Sequence, residues 1–138
     1  MKQTRRAVLR RGAATIAGAT AIAGCSGGGP AEAVIVELTD ENAFEPDNVT
    51  VASGGTVTWV NVGAVAHTVT AEEQSLPEEA AYFASGDFES EAAARQNVSR
   101  GLLRTDEEFE HQFEVSGRYD YVCIPHERSE MVGSVRVE

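Results

Sequence analysis

The sequence predicts an all-β domain, a sandwich or barrel built from short strands, and three observations predict it. Short runs rich in Val, Ile, Thr and aromatic residues recur along most of the chain, the side chains that suit a pleated, half-buried surface. Clusters of Gly, Pro, Asn and Asp separate these runs and supply turn chemistry. Several runs alternate apolar and polar residues, the period-2 signature of a strand with one buried face.

The elements follow in order. Val34-Ile35-Val36-Glu37-Leu38 reads as the first strand, and Phe44-Glu45-Pro46-Asp47-Asn48 as a turn. Val49-Thr50-Val51 comes next, then a turn at Ser53-Gly54-Gly55. Thr56 to Asn61 alternates well and is rich in β-branched residues; His67-Thr68-Val69-Thr70 reads as the following strand. Phe109, His111, Phe113 and Val115 mark a strand by alternation, in which Phe and His could face either way. Arg118 to Cys123 forms another, and Gly133 to Val137 closes the chain. Between Ala71 and Glu108 the pattern lapses into an acidic excursion with one or two short helical turns, long for a plain loop. Asn97-Val98-Ser99 within it is a glycosylation triplet of a kind common by chance.

The N-terminus reads as an address. A basic start is followed by an apolar run from Gly12 to Gly24, too short for a membrane span of about 20 residues and suited to a signal peptide. Thr4-Arg5-Arg6-Ala7-Val8-Leu9-Arg10 resembles the twin-arginine export motif, and Ala21-Ile22-Ala23-Gly24-Cys25 resembles a lipobox. The expected organisation is a signal peptide over residues 1–24, lipidated Cys25 with a flexible tether over 25–32, and one domain over 33–138. The protein is then exported and anchored to the outer face of the cytoplasmic membrane through Cys25.

Charge narrows the function. The full chain carries −11, but from Cys25 onward six Arg and no Lys stand against all 22 carboxylates, a balance of −16. Phosphates would be repelled, so nucleic acid is excluded as a partner. A lysine-free acidic surface suits a high-salt environment, where it is screened. The two cysteines, Cys25 and Cys123, each have a separate explanation, so no disulfide is expected.

The chemistry lies in Cys123-Ile124-Pro125-His126-Glu127-Arg128-Ser129-Glu130-Met131. Carboxylates would suit a hard cation, whereas a thiolate and a thioether suit a soft one. Two imidazoles, a thiolate and a weak axial thioether make the blue-copper arrangement, which requires a second His from elsewhere in the fold. His67 is the candidate, just beyond the strand ending at Asn61. Taken singly, a buried Cys or Met is ordinary core packing, and a single strand His is an ordinary side chain; it is their joint spacing that points to a metal. His111 lies outside both regions and reads as structural or exposed.

With those residues in view, the chain resembles the small blue copper proteins, most closely those of halocyanin and plastocyanin type. The resemblance runs from about Val34 to Glu138 except the acidic excursion. It is strongest over Gly117 to His126 with Met131-Val132-Gly133, and over Trp59-Val60-Asn61 with Ala66-His67-Thr68-Val69. It implies a cupredoxin-like Greek-key β-sandwich or barrel and one copper ion, Cu(I)/Cu(II), held by His67, Cys123, His126 and Met131. It also implies a one-electron carrier rather than an enzyme, monomeric, serving redox protein partners in a membrane-associated chain such as one ending in a terminal oxidase. By the same resemblance His126 is the electron port, in an apolar surface of Ala64, Val65, Ala66, Pro125 and Val132. Spread-out carboxylates favour general solvation over steering of a basic partner. A copper enzyme of this fold needs further His ligands, and this chain has three His with two already used. A storage or delivery module would use the same ligands without a redox chain. Zinc could occupy them too, but Met is an odd choice for it.

Overall fold

Two four-stranded sheets enclose a shared apolar core in the computed structural model, which describes residues 33–138. The expected signal peptide, Cys25 and the tether lie outside the described residues. The strands are β1 (Ala33–Leu38), β2 (Phe44–Glu45), β3 (Asn48–Val51), β4 (Thr56–Asn61), β5 (Thr70–Ala71), β6 (Glu108–Gln112), β7 (Gly117–Val122) and β8 (Val132–Val137). One sheet runs β2-β1-β4-β6 and the other β3-β8-β7-β5. Each is mixed: β1 pairs parallel with β4, setting Val36 opposite Trp59, and β3 pairs parallel with β8, setting Val49 opposite Val135. The remaining pairings are antiparallel.

Alternation does what the sequence predicts. In β4 the side chains of Val57, Trp59 and Asn61 are buried while Thr56, Thr58 and Val60 are half-exposed. In β1 the buried positions are Val36 and Leu38, and in β7 they are Tyr119, Tyr121 and Val122. Trp59 lies at the centre of this core. Its ring stacks on Phe83 at 5.7 Å and Phe109 at 5.6 Å and meets Tyr121 edge-on at 5.3 Å.

Three elements differ from expectation. Phe44-Glu45 is a short strand as well as the entry to a turn, because Phe44 buries its ring against Tyr121 at 4.7 Å. Residues 67–70 are not a continuous strand. Only Thr70 joins β5, and His67 instead makes an isolated antiparallel bridge with Leu103 from the excursion. The strand around Phe109 stops at Gln112, where Phe113 turns into the core.

The excursion holds a 3-10 turn (Glu73–Ser75) and helices α1 (Glu91–Gln96) and α2 (Val98–Gly101), and it is packed rather than loose. It contributes buried Phe83, Ala84, Phe88 and Leu103. Buried Ser85 ties it to the segment that follows His67, donating its N–H to the Val69 carbonyl (2.7 Å) and accepting at Oγ from the Val69 N–H (3.0 Å). Ser90 caps α1 by accepting from the Ala93 N–H at 3.1 Å, the favoured role for Ser at a helix start. Asn97 is exposed and donates its side-chain amide to the Ala93 carbonyl.

His111 is structural. It is half-buried, stacked on Phe83 at 4.9 Å and edge-on to Phe113 at 4.7 Å. Burial away from water lowers its pKa below the usual 6.5, because desolvation disfavours the charged ring. The folded state therefore binds its proton less readily than the unfolded chain. Its penalty is absent above pH 6.5 and grows as pH falls through that value towards the lower folded pKa. Metal-free protein is expected to lose thermal stability over that window, and His111→Phe to flatten the loss. Equal slopes in Tm against pH for the two proteins would refute this origin.

Candidate metal centre

Three side chains from two segments far apart in sequence meet in space. His67 leaves the turn after β4 and is fully buried; Cys123 immediately follows β7 and is also fully buried. His126 lies in the 3-10 loop Ile124–Ser129 and is half-buried. His67 Nδ1 lies 3.2 Å from His126 Nδ1 and 3.8 Å from Cys123 Sγ, and Cys123 Sγ lies 3.2 Å from His126 Nδ1. Among the described residues this is the one group of His, Cys and carboxylate donors compact enough to hold a metal ion.

The size of the triangle suits a cation. With sides of 3.2, 3.2 and 3.8 Å, a point in its plane is about 2.0 Å from all three atoms, against roughly 2.0–2.1 Å for metal–imidazole and 2.3 Å for metal–thiolate bonds. The donor set is borderline-to-soft, two imidazoles and a thiol, which suits copper or zinc and not magnesium or calcium. The fourth predicted ligand, Met131, is fully buried beside the site. Its carbonyl accepts from the Cys123 N–H at 3.0 Å and its N–H donates to the His126 carbonyl at 3.3 Å. These bonds fold the Cys-to-Met loop back on itself.

The electrostatics favour a neutral, ready donor at His67. Its pKa is lowered, first by burial and then by repulsion from His126, against the opposing pull of the Thr39 carbonyl and Asp40. Its Nε2 has no hydrogen-bond partner, so the Thr39 carbonyl acts on it electrostatically without a formed bond. Burial raises the Cys123 thiol, partly offset by the Thr68 N–H and His126. Cys123 is therefore a protonated, inert thiol until a cation displaces the proton.

Several supporting residues were not singled out from sequence. Asn61 is fully buried at the end of β4. Its side-chain amide donates to the carbonyls of Val65 and Leu103, both at 2.8 Å, and its Oδ1 accepts from the Gly63 N–H at 2.9 Å. It thus holds the 62–66 turn against the bridge partner of His67. Period 2 from Val57 and Trp59 was the available signal, since it places this polar residue on the buried face. Asp40 Oδ1 accepts from the N–H groups of Ala64 (2.9 Å) and Val65 (3.1 Å). A Cβ at residue 63 would collide with that carboxylate, so Gly63 permits the close approach. Thr68 links the two ligand segments: its N–H points at Cys123 Sγ (3.4 Å) and its hydroxyl accepts from the Ile124 N–H (2.9 Å). Such outer contacts fix ligand orientation and tune the metal.

The surface residues named from sequence divide. Ala64, Val65 and Pro125 are exposed and Ala66 half-buried, all in the two ligand-bearing loops. Val132 is also exposed, 48 % of its surface, but it lines a groove of about 350 Å³ with Asp47, Glu72, Arg118 and Asp120. The groove is acidic, and burial together with Asp120 and other nearby carboxylates raises the pKa of Glu72.

Comparisons with known proteins agree with this geometry. The family profile of copper binding proteins, plastocyanin/azurin family, matches residues 32–138. Plastocyanin of Scenedesmus fuscus is 32% identical over 95 residues, 69% of this chain and 86% of that protein. Halocyanin of Natronomonas pharaonis is 36% identical over 116 residues, 80% of this chain and 58% of that one. Among solved structures, a purple cupredoxin from Nitrosopumilus maritimus superposes with a TM-score of 0.56 at 26% identity, covering 76% of this chain and 99% of that one. With the profile spanning every described residue and the three donors converged within it, the chain belongs to the plastocyanin/azurin family of copper-binding proteins.

Proposed function

We propose that this chain is a one-electron carrier that works outside the cytoplasmic membrane, tethered there by lipidated Cys25, with copper held by His67, Cys123, His126 and Met131. The observation that carries the reading is the convergence of His67 Nδ1, Cys123 Sγ and His126 Nδ1 within 4.8 Å of one another. When bound there, copper supplies a Cu(II)/Cu(I) couple. The protein's part is to hold its donors nearly fixed. His67 is locked by its backbone bridge to Leu103, with the Leu103 N–H to His67 carbonyl bond at 2.7 Å. Cys123 gives up its proton on loading and is steadied by the Thr68 N–H. Met131, buried beside them, would supply the fourth, weak thioether donor to bound copper. A site whose donors keep their places changes little between oxidation states, so reorganisation is small.

His126 is the exchange port, since it alone of the converged donors is not fully buried. Exposed Pro125, Ala64 and Val65, with Ala66, form the apolar surface around it, suited to brief docking of redox proteins through small interfaces. On this reading Val132, exposed in the acidic groove, also belongs to the electron-transfer surface. Among the described residues no helix is long and apolar enough to cross a membrane, and the anchor assigned here is the lipid on Cys25. The domain over residues 33–138 works as a monomer.

Titrating the full chain with Cu(II) in high salt tests this reading. The expected result is an intense blue thiolate-to-copper band at one ion per chain, bleached by a mild reductant and restored by reoxidation. A colourless complex, or a band that does not bleach reversibly, would refute the electron-carrier reading.

A further inference from the structure

The acidic excursion grips the loop that carries His126. Arg95 in α1 donates from Nη1 to Glu127 Oε1 at 2.9 Å and from Nη2 to Glu127 Oε2 at 3.3 Å, a guanidinium–carboxylate fork on the residue next to His126. Its Nε donates to Glu91 Oε2 at 2.9 Å. Glu91 is held in turn by a reciprocal pair with the 3-10 turn: the Glu73 N–H donates to Glu91 Oε1 (3.0 Å) and the Glu91 N–H to Glu73 Oε1 (2.9 Å). A second, apolar contact runs alongside. Ile124 packs on the small cluster of Ala84, Phe88 and Ala94, which Ala93 also joins.

The rest of the loop is bonded mainly to itself, through the Glu130 N–H to Glu127 carbonyl and the Met131 N–H to His126 carbonyl bonds. Beyond the contacts of His126 with His67, Cys123 and Met131, two polar groups reach residues 124–130 from elsewhere among the described residues, Thr68 at Ile124 and Arg95 at Glu127. The two lie on either side of His126. Isolated exposed ion pairs contribute little, but a bidentate fork within a connected set is the exception. The bonds to Glu127 and Glu91 also hold the Arg95 guanidinium firmly charged.

We propose that Arg95 is a positioning residue for electron transfer: by clasping Glu127 it immobilises the loop, and hence the His126 imidazole, so that this ligand keeps its place when the site changes oxidation state. The excursion is on this view a brace for the metal loop. The inference rests on the copper reading for its functional consequence, and its mechanical half stands without metal.

Amide hydrogen exchange of the metal-free full chain tests the mechanical half. Arg95→Met should speed exchange at Glu130 and Met131 about tenfold, leave Val57 in β4 and Tyr121 in β7 unchanged, and be partly rescued in Arg95→Lys. With copper bound, electron self-exchange in high salt should slow at least about fivefold in Arg95→Met. Screening within about 3 Å at 1 M salt removes the long-range effect of the lost charge while leaving contact pairs in place. In a Glu127→Gln background the same substitution should change the rate less than about twofold, because the clasp is already open. Unchanged exchange at Glu130 and Met131, or an equal rate loss in both backgrounds, overturns the proposal. Absence of the blue band in the unmodified chain would instead overturn the copper reading and leave the exchange result to judge the clasp.

Discussion

Replacing Cys123 with Ser leaves a folded protein that stays colourless with Cu(II). The blue band requires a thiolate donor, and a serine hydroxyl is harder, less covalent and not ionised at neutral pH. The side chain is fully buried, with the Thr68 N–H as donor to it and His126 Nδ1 in reach. A hydroxyl placed there can be satisfied, so the stability of the metal-free fold should change by no more than about 2 kcal/mol. Copper affinity is expected to fall by well over ~100-fold, since loss of outer-sphere partners alone costs about 10- to 100-fold in such sites. Circular dichroism of the metal-free protein and a chelator competition for Cu(I) separate the two effects. A blue Cys123→Ser protein would show that the sulfur is not the donor.

Trp59→Ala is expected to cost about 3–5 kcal/mol, the range for truncating a large buried aromatic, against a total stability of roughly 5–15 kcal/mol for a domain of this kind. The indole is fully buried and touches four aromatic rings: Phe83, Phe109, Phe113 and Tyr121. These come from β6, β7, the excursion and the residue after β6, so none of them can close the gap by a local shift alone. Its Nε1 forms no hydrogen bond of good geometry, so the cost is that of lost packing. The metal site should suffer with the core, since β4 runs from Trp59 straight to Asn61 and the turn before His67. Urea unfolding of metal-free protein in high salt measures the loss, and a decrease under about 1 kcal/mol would show that the core repacks around the cavity.

Much of this was legible in the sequence where information is local. Cys123, His126 and Met131 fall in one short run, and their sulfur and nitrogen chemistry suggests a metal before any fold is known. The strands were legible wherever one face meets the core and the other meets water, as in β4. What escaped depends on contacts distant in sequence. Phe83, Phe88 and Leu103 lie in a stretch with no period, and they are buried only because the excursion folds onto His67 and Trp59. For the same reason the predicted strand over 67–70 gave way to a bridge, since Leu103 takes up the backbone groups of His67. Asp40 and Arg95 read as two more charges on an acidic chain. Their roles come from residues 24 and 32 positions away, a separation no local pattern reports.

The parallel seat of β8 between β3 and β7 also dictates the order in which the molecule can be assembled. A central position in its sheet belongs to the last of the described strands, so β3 does not find its sheet partner until residues 132–137 are available. The parallel β1·β4 pairing likewise demands a crossover rather than a hairpin. Such topology slows folding into the millisecond-to-second range typical of non-local β proteins. His67 and His126, 59 residues apart, come together only once β7 and β8 have docked. A metal ion would therefore find its full donor set in the folded domain, where binding would add to stability by mass action.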